Sequence, residues 1–271
     1  MDISSISISG ATVACISASM AFCILLPIAL VIIWAVKRKT SLIPALFGAG
    51  TFLVFAMILE TILHRLILNS MGQEKFMALP FYAVYGGLAA GVFEECGRYI
   101  VMRFLMKKKL GKKESVMFGI GHGGIESIII VGVTFAGNLS LISMLQNGSI
   151  NAILAPLDEA SKAQVIGQLA VIGSAAPTSF LIASLERVFA ITFHICASYL
   201  VYRAVKYSKP LLLAAAVLLH AAMDGITVVI SMLTSSTALT EAFIGVFTLV
   251  VAVFTVITYR KEKETQASEP A

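Results

Sequence analysis

Ten ionisable side chains fall in four otherwise apolar segments of this chain. FEECGRYI carries Glu94, Glu95 and Arg98, and FGIGHGGIES carries His122 and Glu126. LERVFAITFHICAS carries Glu186, Arg187 and His194, and LLHAAMDG carries His220 and Asp224. The spacing is helical. Glu94/Arg98, His122/Glu126 and His220/Asp224 are i,i+4 pairs and Glu95/Arg98 is i,i+3, so each helix aims its polar groups one way. His and Glu together suit Zn²⁺, for which three protein ligands and a water are the usual catalytic arrangement. Such an ion brings the pKa of its water to about 7. A further carboxylate in a poorly solvated site can act as general base. Arg98 can pair with one of the adjacent glutamates and keep it ionised. Gly119, Gly121, Gly123 and Gly124 around His122 allow another helix or a substrate backbone to come close.

The elements that must position these groups are membrane spans. The chain has 271 residues, 58% hydrophobic and 13% charged, with a mean hydropathy of +0.93. A soluble domain carries about 25% charged residues, so this composition excludes one. Seven apolar runs cover roughly 11–36, 42–68, 78–106, 115–136, 178–206, 210–232 and 239–259, each near the length that crosses a bilayer. The expected fold is an all-α membrane protein, a bundle of about seven transmembrane helices in one polytopic domain over 1–260. A polar tail over 261–271 is expected to be disordered. The first 20 residues lack a basic n-region and hold Asp2, and the apolar run is too long for a signal peptide, so it reads as a permanent first helix. The stretch 139–177 holds Asp158, Glu159, Lys162, Gln164 and Gln168. It reads as a polar loop, opened by Asn138 as a cap or turn residue, and then an amphipathic helix at the interface. A re-entrant element capping a cavity is the alternative.

Fifteen of the 20 Lys and Arg fall after the first, third, fifth and seventh runs, all on one side if the helices alternate. The positive-inside rule then puts the N-terminus outside and the C-terminus in the cytosol of a plasma-membrane protein. Basic loops at the cytosolic leaflet account for the net charge of +5, so no nucleic-acid partner is expected. Cys15, Cys23, Cys96 and Cys196 form no CxxC pair and read as small buried thiols.

Alternating direction also gives depth. Glu94 and His194 are each twelve residues from the cytosolic ends of their runs, Glu126 eleven and His220 ten. At 1.5 Å per residue they lie about 15–18 Å from that end, in one layer. Ionisable groups inside spans cost roughly 2.5–3.5 kcal/mol each and usually mark function. Glu186 and Arg187 read as a structural pair or pocket lining. Glu60, His64 and Arg65 read as interfacial residues towards the outer end of the second helix.

Taken in order, EExxR (Glu94, Glu95, Arg98), His–x3–Glu on a Gly-rich helix (His122, Glu126), ER…H (Glu186, Arg187, His194) and HxxxD (His220, Asp224) resemble the YhfC family of intramembrane metalloproteases. That family is related to PrsW-type proteases and to the CAAX prenyl protease and bacteriocin-processing superfamily. The resemblance spans about half the chain. It implies an intramembrane endopeptidase with a Zn²⁺ cofactor, acting on membrane protein or peptide substrates. In that reading Glu94, Glu95, Arg98 and Asp224 are catalytic, with the water-activating base among the paired glutamates, and His122, Glu126, His194 and His220 hold the metal. The first motif departs from the superfamily's EExxxR towards the PrsW-type EExxK spacing. Both His122 and His194 stand as candidates for the second-motif histidine. The competing readings are a proton- or metal-coupled transporter, which the single layer and the lack of an internal repeat disfavour, and a catalytically silent immunity-type protein.

Overall fold

The computed structural model describes residues 3–107 and 109–262. It is all-α, and no strand occurs among the described residues. The long helices are α1 (Gly10–Arg38), α2 (Ile43–Met71), α3 (Leu79–Ile100, continued by a π-helical turn, Val101–Leu105), α4 (Lys112–Gln146), α5 (Glu159–Ser174), α6 (Ser179–Lys206), α7 (Pro210–Thr234) and α8 (Thr237–Lys261). Six of these, α1, α2, α4, α6, α7 and α8, are long and apolar enough to cross a membrane. With its π-helical turn, α3 is of spanning length too, but it carries Glu94, Glu95, Arg98 and Arg103. About seven spans is therefore the right count, and α5 is the helix outside it.

Large apolar side chains stand exposed along the spans, among them Val36, Leu46, Val84, Phe104, Leu211, Leu218 and Leu249. Water would not tolerate so much open hydrocarbon, and lipid does. Local chemistry sets the helix ends. Pro44, Pro80 and Pro210 sit in first turns, where a missing N–H costs nothing. Asp158 caps α5 by accepting from Ser161 N at 2.7 Å. Those backbone and side-chain hydrogen bonds hold its carboxyl below the usual carboxylate range.

The chain divides into two compact units, residues 1–26 with 127–187, and 27–126 with 188–271. In the first, Ile16, Ile142, Ile150, Leu169 and Ile172 form an apolar cluster. Two expectations change here. Asn138 is not in a loop: α4 runs on to Gln146, and Asn138 is buried inside it, where Oδ1 accepts from Gln168 Nε2 at 2.6 Å. A polar side chain that finds a partner across a helix pair has no need to end its helix. The stretch read as a loop is likewise mostly helical, with a short helix at Ile150–Leu154 before α5. Beyond Glu262 the expected tail lies outside the described residues.

The second unit holds the polar layer, and glycine lets its helices close on one another. A Cβ on Gly121 would strike the backbone of Ala45, and one on Gly48 the backbone of Phe118, so α2 and α4 touch main chain to main chain. On the α6 side of α4, a Cβ on Gly123 would lie 2.9 Å from Ile191 Cα. Between α3 and α7, one on Gly91 would lie 2.5 Å from Val217 O. Small-residue seams of this kind drive helix association where lipid removes the hydrophobic incentive.

Candidate active site

The eight residues to which the resemblance gives a catalytic or metal-binding role, Glu94, Glu95, Arg98, His122, Glu126, His194, His220 and Asp224, lie together in the second unit. Arg98 is fully buried and organises them. Its Nη2 donates to Glu94 Oε2 at 3.1 Å and to His194 Nδ1 at 2.6 Å, while Nη1 donates to Glu95 Oε1. The i,i+3 and i,i+4 spacing makes both carboxylate contacts possible from one turn of α3. A planar five-donor guanidinium can serve three partners, as an ammonium cannot.

The histidines follow in a row. His122 Nε2 lies 2.8 Å from Glu94 Oε2, and its ring centre is 5.0 Å from that of His194. His194 Nε2 pairs with Glu126 Oε2. Because Arg98 can only donate, His194 Nδ1 is an acceptor and its proton sits on Nε2, facing Glu126. The ring centre of His220 is 5.6 Å from His194. His220 Nδ1 is 2.6 Å from Glu95 Oε1, and its Nε2 is 3.5 Å from Asp224 Oδ2 and 3.8 Å from Glu94 Oε1. Phe52 and Phe193 press ring edges against His122 and His220, and Phe118 stacks on His122. Six of the eight residues are under 8% exposed, whereas the Asp224 side chain is 42% exposed and forms the open end of the row.

Three π-helical stretches occur among the described residues, one each on α2, α3 and α4: Phe52–Glu60, Val101–Leu105 and Ile128–Val133. The second begins three residues after Arg98 and the third two residues after Glu126. Widened turns are frequent at functional sites because the extra residue re-aims neighbouring side chains.

The donor set fits a metal. One ligand atom each from Glu94, His122 and His194 lie within 4.8 Å of one another, and all three residues are buried. A carboxylate with two imidazoles is a known catalytic zinc set. His122 Nδ1 and Glu95 Oε2 are buried without a hydrogen-bond partner. Four carboxylates share the layer with a single guanidinium, which pairs with two of them, so a divalent cation would also relieve a charge excess that low-dielectric surroundings penalise. Glu126 stands against His194 and His220 against Glu95, both beside that trio.

Glu186 and Arg187 pair with each other in the first unit. Glu60 departs from expectation. It is 8% exposed and lies eleven residues, about 16 Å, from the Met71 end of the 29-residue α2, so it is not an interfacial residue. Its position seventeen residues into α2 was a signal available in the sequence.

A model of the family described as YhfC intramembrane metalloprotease matches residues 22–248. The chain is also similar to the "Uncharacterized membrane protein YhfC" of Bacillus subtilis, with 37% identity over 225 residues, covering 79% of this chain and 83% of that protein. No solved structure matches it.

Proposed function

The chain belongs to the YhfC intramembrane metalloprotease family, and from that premise we propose that it hydrolyses peptide bonds of membrane-associated substrates at the Glu94–Asp224 layer. The observation that carries this reading is the convergence of one carboxylate and two imidazoles on a buried point, beside a second carboxylate one of whose oxygens has no hydrogen-bond partner. Glu94, His122 and His194 would hold the ion, His194 through the Nδ1 that otherwise accepts from Arg98, with Glu126 on its Nε2–H orienting the ring. When bound, zinc would supply a water of pKa about 7 and polarise the scissile carbonyl. Arg98 keeps Glu94 and Glu95 ionised and aimed. Glu95 Oε2, which has no hydrogen-bond partner, takes the proton of the attacking water. His220, hydrogen-bonded to Glu95 and facing Asp224, passes that proton to the leaving amine. Substrate would enter between helices from the bilayer. The protein would sit in the plasma membrane with its N-terminus outside and its C-terminus in the cytosol.

The test uses purified protein in nanodiscs, a pool of membrane proteins as substrate, new N-termini read by mass spectrometry, and elemental analysis. Wild type should retain zinc and generate new N-termini. His122→Ala and His194→Ala should lose the metal. Glu95→Gln should keep the metal yet lose about a hundredfold or more in rate, the usual scale of general-base loss. Full activity in both Glu95→Gln and His194→Ala would sink the assignment.

A further inference from the structure

Ionisable groups continue beyond the eight-residue site, along α2 and α3. Glu60 ends the π-helical stretch of α2. Its Oε1 lies 3.2 Å from His64 Nε2, and His64 Nδ1 lies 2.8 Å from the Tyr85 hydroxyl on α3. The string has a direction. Side-chain exposure falls from 35% at His64 to 10% at Glu60. At the inner end the π-helical stretch that Glu60 closes packs on the site, with the Phe52 ring edge 5.4 Å from His122 and Phe55 against Gly97 of α3. Residues 60–64 lie about 25–31 Å from the start of α2 at 1.5 Å per residue, so the exposed end faces the Met71 terminus. Aromatic rings wall it there: Phe76 is 6.4 Å from the His64 ring and Phe81 stacks on Tyr85 at 5.1 Å.

None of these three groups belongs to the ligand set, and a buried mid-span carboxylate is costly to keep. A hydrolytic centre inside a bilayer has one requirement that its ligands do not meet, which is a supply of water. Polar side chains strung between a wetted end and a buried site sustain such a supply, because each offers a water a partner that lipid does not. We infer that Tyr85, His64 and Glu60 line the solvent entrance to the site, delivering water from the Met71 end of α2 to Asp224 and Glu94. The purpose of this entrance rests on the hydrolytic reading. Its existence does not, so the experiment reads water and not proteolysis.

In protein whose four cysteines are replaced by alanine, Tyr85→Cys, Glu60→Cys and Asp224→Cys are compared with Val84→Cys and Leu88→Cys, whose native side chains are exposed on α3. A charged, membrane-impermeant thiol reagent should modify the first three about tenfold faster or more, since the reactive thiolate forms only in contact with water. Adding His64→Phe to the Asp224→Cys protein should slow modification there by about the same factor. Hydroxyl-radical footprinting of the unsubstituted protein in nanodiscs avoids any folding defect. Tyr85 and His64 should be oxidised while Phe22, exposed in the middle of α1, is not. Equal reactivity at positions 84 and 85, modification at 224 that His64→Phe leaves unchanged, or protection of Tyr85 matching that of Phe22 would overturn the entrance.

Discussion

Arg98 is the residue on which the polar layer depends. It is fully buried and bonds to Glu94, Glu95 and His194, so removing it strands carboxylates in a medium that cannot solvate them. Breaking a buried pair by deleting one partner costs about 3–5 kcal/mol. Arg98→Ala should lower thermal stability in nanodiscs by an amount on that scale. Arg98→Lys should restore only part of it, because an ammonium lacks the planar fork that reaches both glutamates. Retention of wild-type stability by Arg98→Ala would show that the layer is not held by this guanidinium. A second residue acts outside the spans. Burial pushes the Glu262 carboxyl up, but hydrogen bonds from Lys206 and Tyr207 and the charges of Lys206 and Arg203 outweigh it and hold it below the ordinary range. A depressed carboxyl contributes stability above its unfolded pKa of about 4.3 and loses it as pH falls through the folded value. The end of α8 should therefore keep its hydrogen-exchange protection from neutral pH down to about 5 and lose it in stronger acid. Glu262→Gln should remove that acid transition.

At the scale of elements, glycine decides which helices are neighbours. Gly121 has no room for a methyl group against Ala45, and Gly86 has nothing within 4 Å. Gly121→Ala should destabilise by about 1–3 kcal/mol through forced separation of α2 and α4. Gly86→Ala, on open surface of α3, should be neutral or stabilising by up to about 1 kcal/mol through helix propensity. Melting temperatures of the two variants check both, and similar losses would mean that contact is not what Gly121 serves. Separating α2 from α4 would also shift His122 against Phe52, so Gly121→Ala should weaken zinc retention although it touches no ligand.

At the scale of the molecule, the topology is a proposal carried by charge. Fifteen of the 20 basic residues share one side if the spans alternate. A fluorescent protein fused after Ala271 should mature in the cytosol, and an N-terminal tag should be accessible on intact cells. The opposite result would invert the membrane orientation, along with the side from which the proposed water entrance opens.

The sequence by itself determined the fold class, the span count, the depth of the polar layer and the one-sidedness of each motif. All of these follow from properties local to a helix: apolar length, a rise of 1.5 Å and a period of 3.6 residues. Those rules place His122 and Glu126 on one face and Glu94 at the depth of His194 without reference to neighbours. They say nothing about partners. Glu94 joins His122 and His194 as a possible ligand, Glu126 turns to His194, and His220 takes Glu95, because α4 slides against α2 and α6 along glycine seams. Glu60 and Asn138 depart from the sequence expectation for the same reason. An acid in the outer third of an apolar run looks interfacial, and an asparagine after an apolar run looks like a turn, until Tyr85 on a second helix bonds to the acid's partner His64 and Gln168 bonds to the asparagine. Which surfaces meet is a property of two helices at once, and only the tertiary structure could decide it.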